Sequence, residues 1–584
     1  MAIFSRKTSD GQRRQWGADT NKDPMPQVPR IAGDWTMAVG RAAVVFTVAA
    51  WVALMVSVIN GQVIEGVAGH ASLTETVGFL TAVSLLAASA IAYLFGRLGF
   101  YYRTKEGRRT PRAMLDEFYA ERRPRVTALI PSYQEEPGVI LMTLLSTALQ
   151  EYPDLRVVLL VDDPPNPRYA GPRRLLDSAE ALPAEVERLL SEPRRRFDLA
   201  LERWETSVDP TMPSTDAEVH ALAGEYEYAG SWIRSLSDQY HVSDHNEAFF
   251  AKHVLGKLST DLAVIGRALR TAADSEPEKI DTARMTQLYS RLAWTFRAEV
   301  SSFQRKNFAS LSAEPNKAMN LNSYIGLMGG AYREVQTPAG LYLVPSPEHE
   351  ADLIVPESEY VLTIDADSVI MPEYCLRLVH LMEREEHQKV AVSQSPYSAF
   401  PGAATRLERI AGATTDLQHI IHQGMTYNNA TFWVGANAIL RKSALKDIEE
   451  IEYKGPFKIY RYISDRTVIE DTESTIDLAA GGWTLHNYNE RIAFSATPPD
   501  FGSLAIQRNR WANGGLLILP KLWRNGRERS QRGEHGSAAQ TWLRVNYMAS
   551  TCWSSIGLVL LLAYPFDSKL LGPLIVLAAM PYFL

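Results

Sequence analysis

The chain has 584 residues, 60 Lys plus Arg against 67 Asp plus Glu for a formal net charge of −7, and two distant cysteines, Cys375 and Cys552. That length exceeds one ordinary domain, so more than one structural unit is expected. The acidic balance argues against a nucleic-acid partner, and the cysteine count against a disulfide framework or a cysteine metal site.

A basic tail (1–36) precedes two uncharged apolar runs, AAVVFTVAAWVALMVSVI (42–59) and VGFLTAVSLLAASAIAYLF (77–95). Each is long enough to cross a hydrocarbon core of about 30 Å, so 37–98 reads as two transmembrane helices and the lipid bilayer as a partner. Arg and Lys flank the pair on both outer sides, while the loop 60–76 has neither. The positive-inside rule puts the N-terminus and everything after residue 97 in the cytoplasm, with the protein in the cell membrane. Two further apolar runs, 554–566 and 570–584, suggest C-terminal spans within 551–584. The last stops at the chain end without flanking charge, which reads as a chain from which further spans are missing.

Between the spans, RVTALI (125–130), the helical GVILMTLLSTALQ and RVVLLV (156–161) make a βαβ unit and so a parallel sheet. Ligands of such sheets bind beyond the carboxyl ends of the strands, where PSYQEEP and Asp162-Asp163 lie. Residues 168–312 are rich in Arg, Glu, Leu and Ala at amphipathic helical spacing, and read as a helical insertion that is a scaffold, a lid or a docking module. The sheet pattern resumes in 313–518. YVLTI (360–364), KVAVSQSP and FWVGANAIL are strands there; MPEYCLRLVHLMERE, 405–423 and TESTIDLAAGG are helices. Residues 519–550 mix Trp, Leu and Arg and suggest an interfacial amphipathic region, with a solvated linker as the alternative.

Carboxylates recur at what read as strand ends: Asp162/Asp163, Asp365/Asp367 and Glu470/Asp471. Asp-x-Asp after a buried strand suits a hard cation, and Mg²⁺ or Mn²⁺ takes oxygen ligands completed by substrate phosphates. A lone Asp-Ala-Asp could equally be a turn bonding its own backbone. Three acidic sites on one sheet edge favour chemistry.

The order DD, DAD, ED, QRNRW (507–511) resembles the processive family 2 glycosyltransferases, the cellulose, curdlan, chitin and hyaluronan synthases, whose signature is D, D, D35QxxRW. Here 35 residues separate Asp471 from Gln507. Asn316–Asn322 (NKAMNLN), Gln394-Ser395-Pro396 and Phe432–Asn437 (FWVGAN) resemble further blocks of that family, and the likeness spans about 125–163 and 315–515.

The resemblance implies a GT-A-like (Rossmann-like) α/β domain, a UDP-sugar donor, a growing polysaccharide acceptor and Mg²⁺ or Mn²⁺. Tyr133 and Glu135, with Asp162 or Asp163, would face the uridine. Lys317, Asp365 and Arg510 would sit at the diphosphate, and Asp367 would ligate the metal. Glu470 and Asp471 would be the catalytic pair, Asp471 the general base. Gln507, Trp511, Gly435 and Asn437 would border the acceptor, while Arg508 and Asn509 occupy variable positions and are only solvated. The implied reaction inverts the sugar carbon, giving a β-linked polymer; UDP-glucose and a β-glucan such as cellulose or curdlan are expected, exported through the spans. An accessory subunit or an oligomer stays open. The chain departs from the family where Ile469 replaces Thr and where Val434 and Ala436 replace Cys and Ser, which puts the polymer's identity in doubt. Two other readings share these features: transfer of one sugar to a lipid or other membrane acceptor, and an inactive partner or sensor subunit docking through the insertion. QxxRW argues against the first and the retained carboxylates against the second.

Overall fold

The computed structural model describes residues 23–65, 73–209, 211–274, 280–533 and 536–563. Two long helices come first, α1 (Asp34–Glu65) and α2 (Leu73–Glu106), followed by a short α3 (Arg112–Glu121). The βαβ unit is β1 (Val126–Ser132), α4 (Pro137–Ala148) and β2 (Leu155–Val161). Five helices follow: α5 (Ala170–Ser207), α6 (Asp216–Gln239), α7 (His245–Phe249), α8 (Gly256–Asp274) and α9 (Thr282–Trp294). The chain then returns to sheet with β3 (Glu299–Phe303), a helix α10 (Lys317–Ile325), and β4 (Gly330–Thr337), β5 (Gly340–Pro345) and β6 (Leu353–Val355).

The second half holds β7 (Tyr360–Ile364), β8 (Ser368–Ile370), α11 (Tyr374–Glu383), β9 (Val390–Gln394), β10 (Ser398–Ala399) and α12 (Arg406–Tyr427). It continues with β11 (Asn437–Arg441), α13 (Lys442–Asp447), β12 (Glu450–Lys454), β13 (Phe457–Arg461), α14 (Glu470–Ala480), β14 (Thr484–Asn487) and β15 (Ala493–Ser495). Two helices, α15 (Phe501–Gln531) and α16 (Ala538–Ala563), complete the described chain.

The central sheet has seven strands in the order β14-β9-β11-β7-β1-β2-β3. β1, β2 and β7 are buried at nearly every position, as strands covered on both faces must be, and this is why they appear as unbroken apolar runs. β1 runs parallel to both β2 and β7, so Tyr133, Asp162 and Asp365, each just past a strand, share one edge.

Three sequence expectations change here. The sheet is mixed: β11 pairs antiparallel with β7 and with β9. Of the run FWVGANAIL, Phe432–Ala436 is loop, and pairing begins at Asn437. The helical segment ends at Trp294 rather than 312, because β3 returns to the sheet and pairs parallel with β2 from Arg156↔Glu299 to Leu160↔Phe303. EVSSF carries two apolar residues in five, too weak a pattern to be read as a strand. The helices α5–α9 are thus the crossover between β2 and β3. One apolar cluster runs from Leu145 and Leu159 beside the sheet to Phe197, Leu222, Phe250 and Leu288 in the helices.

Among the described residues, three helices are long and apolar enough to cross a membrane: Asp34–Gly61, Leu73–Glu106 and Ala538–Leu562, with mean hydropathy 2.5, 2.0 and 1.4 over their most apolar windows. The whole of the second C-terminal run, 570–584, and the end of the first lie outside the described residues. Of the stretch 519–550, residues 519–531 belong to α15 and 538–550 to α16. The helix α2 meets α12 backbone to backbone. A Cβ on Gly99 would lie 2.9 Å from Gly424 Cα, and a Cβ on Gly424 would overlap the Gly96 carbonyl. Small residues let apolar helices approach this closely.

Candidate active site

A cavity of about 820 Å³ opens beyond the carboxyl end of β7. Lys317, Asp365, Asp367, Gly435, Glu470, Asp471, Gln507, Arg510 and Trp511 line it, and it extends to Tyr547 and Thr551 on α16. The sequence therefore named residues that the fold brings together from α10, β7, α14, α15 and the loop before β11.

Each has a local cause. Asn316 caps α10, its side chain accepting from the Met319 N–H at 2.6 Å, and this puts Lys317 on the first turn. The Lys317 ammonium donates to Asp365 and, at 3.1 Å, to the Gly435 carbonyl; Glu470 Oε1 lies 4.0 Å away. Glu470 and Asp471 open α14, at a helix N-terminus rather than at a strand end. Asp471 Oδ1 accepts from the Thr472 N–H at 2.6 Å. Burial, and then the neighbouring Glu470, push Asp471 up to about 7. Asp367 is likewise pushed up to about 7, by burial first and then by Asp365 and Glu135.

Gln394 holds the floor. Its amide nitrogen donates to the Phe432 carbonyl and to Asn487 Oδ1, and its oxygen accepts from the Val434 N–H at 2.9 Å. This fixes the loop that turns at Gly435, whose φ of +65° favours glycine. A Cβ there would come 2.6 Å from Asp471 Oδ2. Gly435→Ala is therefore expected to displace the Asp471 carboxylate and cut activity by at least about tenfold, as small misplacements of a reacting group do. Unaltered turnover in a folded Ala variant would show that the carboxylate tolerates the shift.

The spacing of QRNRW has a geometric reason. It lies on α15, where Gln507, Arg510 and Trp511 are i, i+3 and i+4 and share one face. Asp500 caps that helix, accepting from the Ser503 N–H. The helix is pinned to the segment before Asp471. Arg510 donates to the Val468 carbonyl at 3.3 Å, Gly514 leaves room for Ile469, and Lys521 bridges Glu473 and Asp477. Ile469, where Thr is usual, thus packs onto a glycine.

Arg508 is not merely solvated: its guanidinium lies 4.5 Å over the Trp511 ring and donates to Thr414 Oγ1 at 2.6 Å. Asn437 does not line the cavity. It is buried in β11, its side-chain oxygen accepting from the Tyr374 hydroxyl at 2.8 Å and the Ser395 N–H at 3.1 Å.

At the ends of β1 and β2, the choice between the two aspartates also sharpens. Asp162 is ion-paired with the fully buried Arg305 at 2.7 Å and with Lys306 at 3.3 Å. Asp163 is buried, with Oδ2 accepting from the Gln134 N–H and Oδ1 without a hydrogen-bond partner. Gln134 has φ +53°, a left-handed turn between the half-exposed Tyr133 and Glu135. Burial and Asp365 raise Glu135, which ties it to the acidic cluster. Arg305 escaped the sequence reading because one arginine in RKN carries no pattern.

Asp365 and Asp367 on one rim, the latter raised by burial and by its acidic neighbours, are a hard oxygen donor set that suits Mg²⁺ or Mn²⁺. Among the described residues, no group of three His, Cys, Asp or Glu stands ready to hold a metal by itself. Substrate phosphates would have to complete such a site.

Residues 360–584 match the family model described as Glycosyl transferase family group 2. The family 2 glycosyltransferase resemblance read from the carboxylates and QRNRW is borne out. A UDP-forming cellulose synthase catalytic subunit of Dictyostelium discoideum is 27% identical over 161 residues, covering 28% of this chain and 14% of that protein. The probable glucomannan 4-beta-mannosyltransferase 7 of Oryza sativa subsp. japonica is 24% identical over 170 residues, 28% of this chain and 26% of that protein. The glucans biosynthesis glucosyltransferase H of Caulobacter vibrioides is 24% identical over 170 residues, 28% of this chain and 24% of that protein. The matched stretch thus spans about a quarter or less of these relatives. Among solved structures, the mannosyltransferase PcManGT from Pyrobaculum calidifontis in complex with GDP-Man and Mn²⁺ is 12% identical, with a TM-score of 0.39 over 87% of this chain and 99% of that one.

The raised carboxylates set a pH dependence. A carboxylate acts as base only when ionised, and burial with Glu470 raises Asp471 to about 7. Activity is expected to be lost as pH falls through 7 and retained above it. kcat/KM, which reports the free enzyme, should rise with a log slope of about 1 below that point. A profile flat from pH 5 to 9 in saturating metal would remove Asp471 from the role of base.

Proposed function

We propose that the protein is a membrane-embedded, inverting, processive glycosyltransferase that builds a β-linked polysaccharide from a UDP-sugar on the cytoplasmic face and passes it outward. UDP-glucose and a β-glucan are the first choice. The observation that carries this reading is the cavity itself. Asp471, the Asp365/Asp367 rim and the Gln507–Trp511 face share it, and it reaches residues of α16, a helix apolar enough to span a membrane.

In this reading Tyr133, Glu135 and Asp163 receive the uridine, while Arg305 and Lys306 keep Asp162 as a support. Lys317 and Arg510 offer cations to the diphosphate. The acceptor hydroxyl attacks the anomeric carbon, Asp471 takes its proton, and the bond from that carbon to the diphosphate oxygen breaks as UDP leaves. Glu470 stands beside Asp471 and helps keep its proton affinity high. Asp367, with Asp365, would hold Mg²⁺ or Mn²⁺, which when bound offsets charge on the departing diphosphate. Gly435 keeps the space beside Asp471 clear, and Gln507 and Trp511 meet the acceptor sugar.

The test is a panel of radiolabelled UDP-sugars offered to membrane vesicles holding the full chain, followed by linkage analysis. A long insoluble β-linked product supports the reading, and a single addition replaces it with a non-processive transferase. No turnover with any donor would point to an inactive partner role. Trp511→Ala is expected to lower polymer yield by about tenfold or more, the loss of one sugar stacking face. Undiminished synthesis in this variant would return QRNRW to a structural helix segment.

A further inference from the structure

The cavity continues past Trp511 to a surface that the reaction above leaves unused. The helix α12 contributes Thr415, Gln418, His419 and His422 to its lining, and α16 contributes Tyr547. His419 and His422 are 3% and 6% exposed. Neither ring nitrogen of His419 has a hydrogen-bond partner, nor does Nδ1 of His422; its Nε2 lies 3.3 Å from the Tyr547 hydroxyl. Buried polar atoms are nearly always paired, and leaving one unpaired forfeits its hydration without return. Three such nitrogens on two residues spaced i, i+3 mark a place where a ligand supplies the missing partners.

We propose that His419 and His422 form a hydroxyl-binding subsite for the acceptor chain, between the catalytic carboxylates and the membrane-side helices. The inference rests on the polymer-synthase reading and deepens it. The chemistry of the pair selects the ligand. Burial pushes His422 down to about 4 and His419 well below the ordinary histidine value, Arg491, His422 and Arg103 lowering the latter further. Both rings are therefore neutral, each with one N–H donor and one acceptor nitrogen. A sugar hydroxyl also donates and accepts, and a nonionic chain needs no charge. Phe100 of α2 packs edge-on against the His419 ring at 5.8 Å between centroids and fixes its plane. No third metal-ligating side chain joins the pair among the described residues, so a nonionic ligand suits it better than a cation.

The experiment uses the full chain in detergent, cellopentaose as the probe, and calorimetric titration with cellopentaose and, separately, with UDP. We expect the wild type to bind cellopentaose and the His419→Leu/His422→Leu double variant to bind it at least about tenfold more weakly. The His419→Gln/His422→Gln variant, which keeps a donor and an acceptor, should stay within about threefold of the wild type. UDP affinity should be the same in all three. Absence of cellopentaose binding, full binding by the Leu variant, or equal weakening by Leu and Gln would each overturn the subsite. If the wild type binds the probe through these histidines but polymerises no UDP-sugar, the subsite stands and the polymer reading falls.

Discussion

Asp471→Asn is expected to lower sugar transfer by at least about 100-fold while leaving UDP affinity little changed, since a positioned base contributes about 10²–10⁴. The amide keeps the size of the side chain and can still fill the space beside Gly435, so the fold and the donor end of the cavity should persist. What it loses is a proton acceptor. Asp471 suits that task because burial and Glu470 raise it to about 7, where a base takes a proton readily and is still about half ionised at neutral pH. Radiolabel incorporation measures the first quantity and UDP titration the second. Wild-type turnover in the Asn variant would dismiss Asp471 as base; loss of UDP binding would make it a donor ligand instead.

Chelation by EDTA should stop transfer, and added Mg²⁺ or Mn²⁺ should restore it. Asp367→Asn should raise the metal concentration needed for half-maximal activity by at least about tenfold, the low end of what even outer partners of a metal contribute. Asp367 is costly to ionise because it is buried and then because it stands beside Asp365 and Glu135, with Lys317 as a partial counterweight. A divalent cation reverses that cost. Mn²⁺ binding can be followed by paramagnetic resonance in the presence of UDP, independently of turnover. Metal-independent activity, or unchanged Mn²⁺ affinity in the variant, would remove Asp367 from this role.

Legibility in the sequence followed burial. β1, β2 and β7 are covered on both faces and stood out as apolar runs, so the carboxylates after them could be placed on one edge from the sequence alone. The crossover helices showed in their amphipathic spacing. β3 did not, because EVSSF offers a single apolar residue to each face, Val300 to one cluster and Phe303 to the other, with neither a run nor an alternation. The direction of β11 is set by its neighbours, so no hydrophobic pattern could encode its reversal, and Asn437 was placed by motif rather than by register. The Gln507–Arg510–Trp511 face was present in the i, i+3, i+4 spacing and went unread as a helix. His419 and His422 were invisible because their meaning lies in partners they lack.

The glycine contact between α2 and α12 has a mechanical consequence. Where Gly96 and Gly99 meet Gly424, no side chain separates the two backbones, so neither helix can slide or roll without carrying the other. In the membrane-embedded reading proposed above, the wall of the cavity is in effect bolted to a segment whose tilt answers to the thickness of the surrounding lipid. In that reading a thicker or thinner bilayer acts on the width of the polymer path directly, through a rigid pair of rods, and the lipid becomes a setting of the catalyst rather than its container.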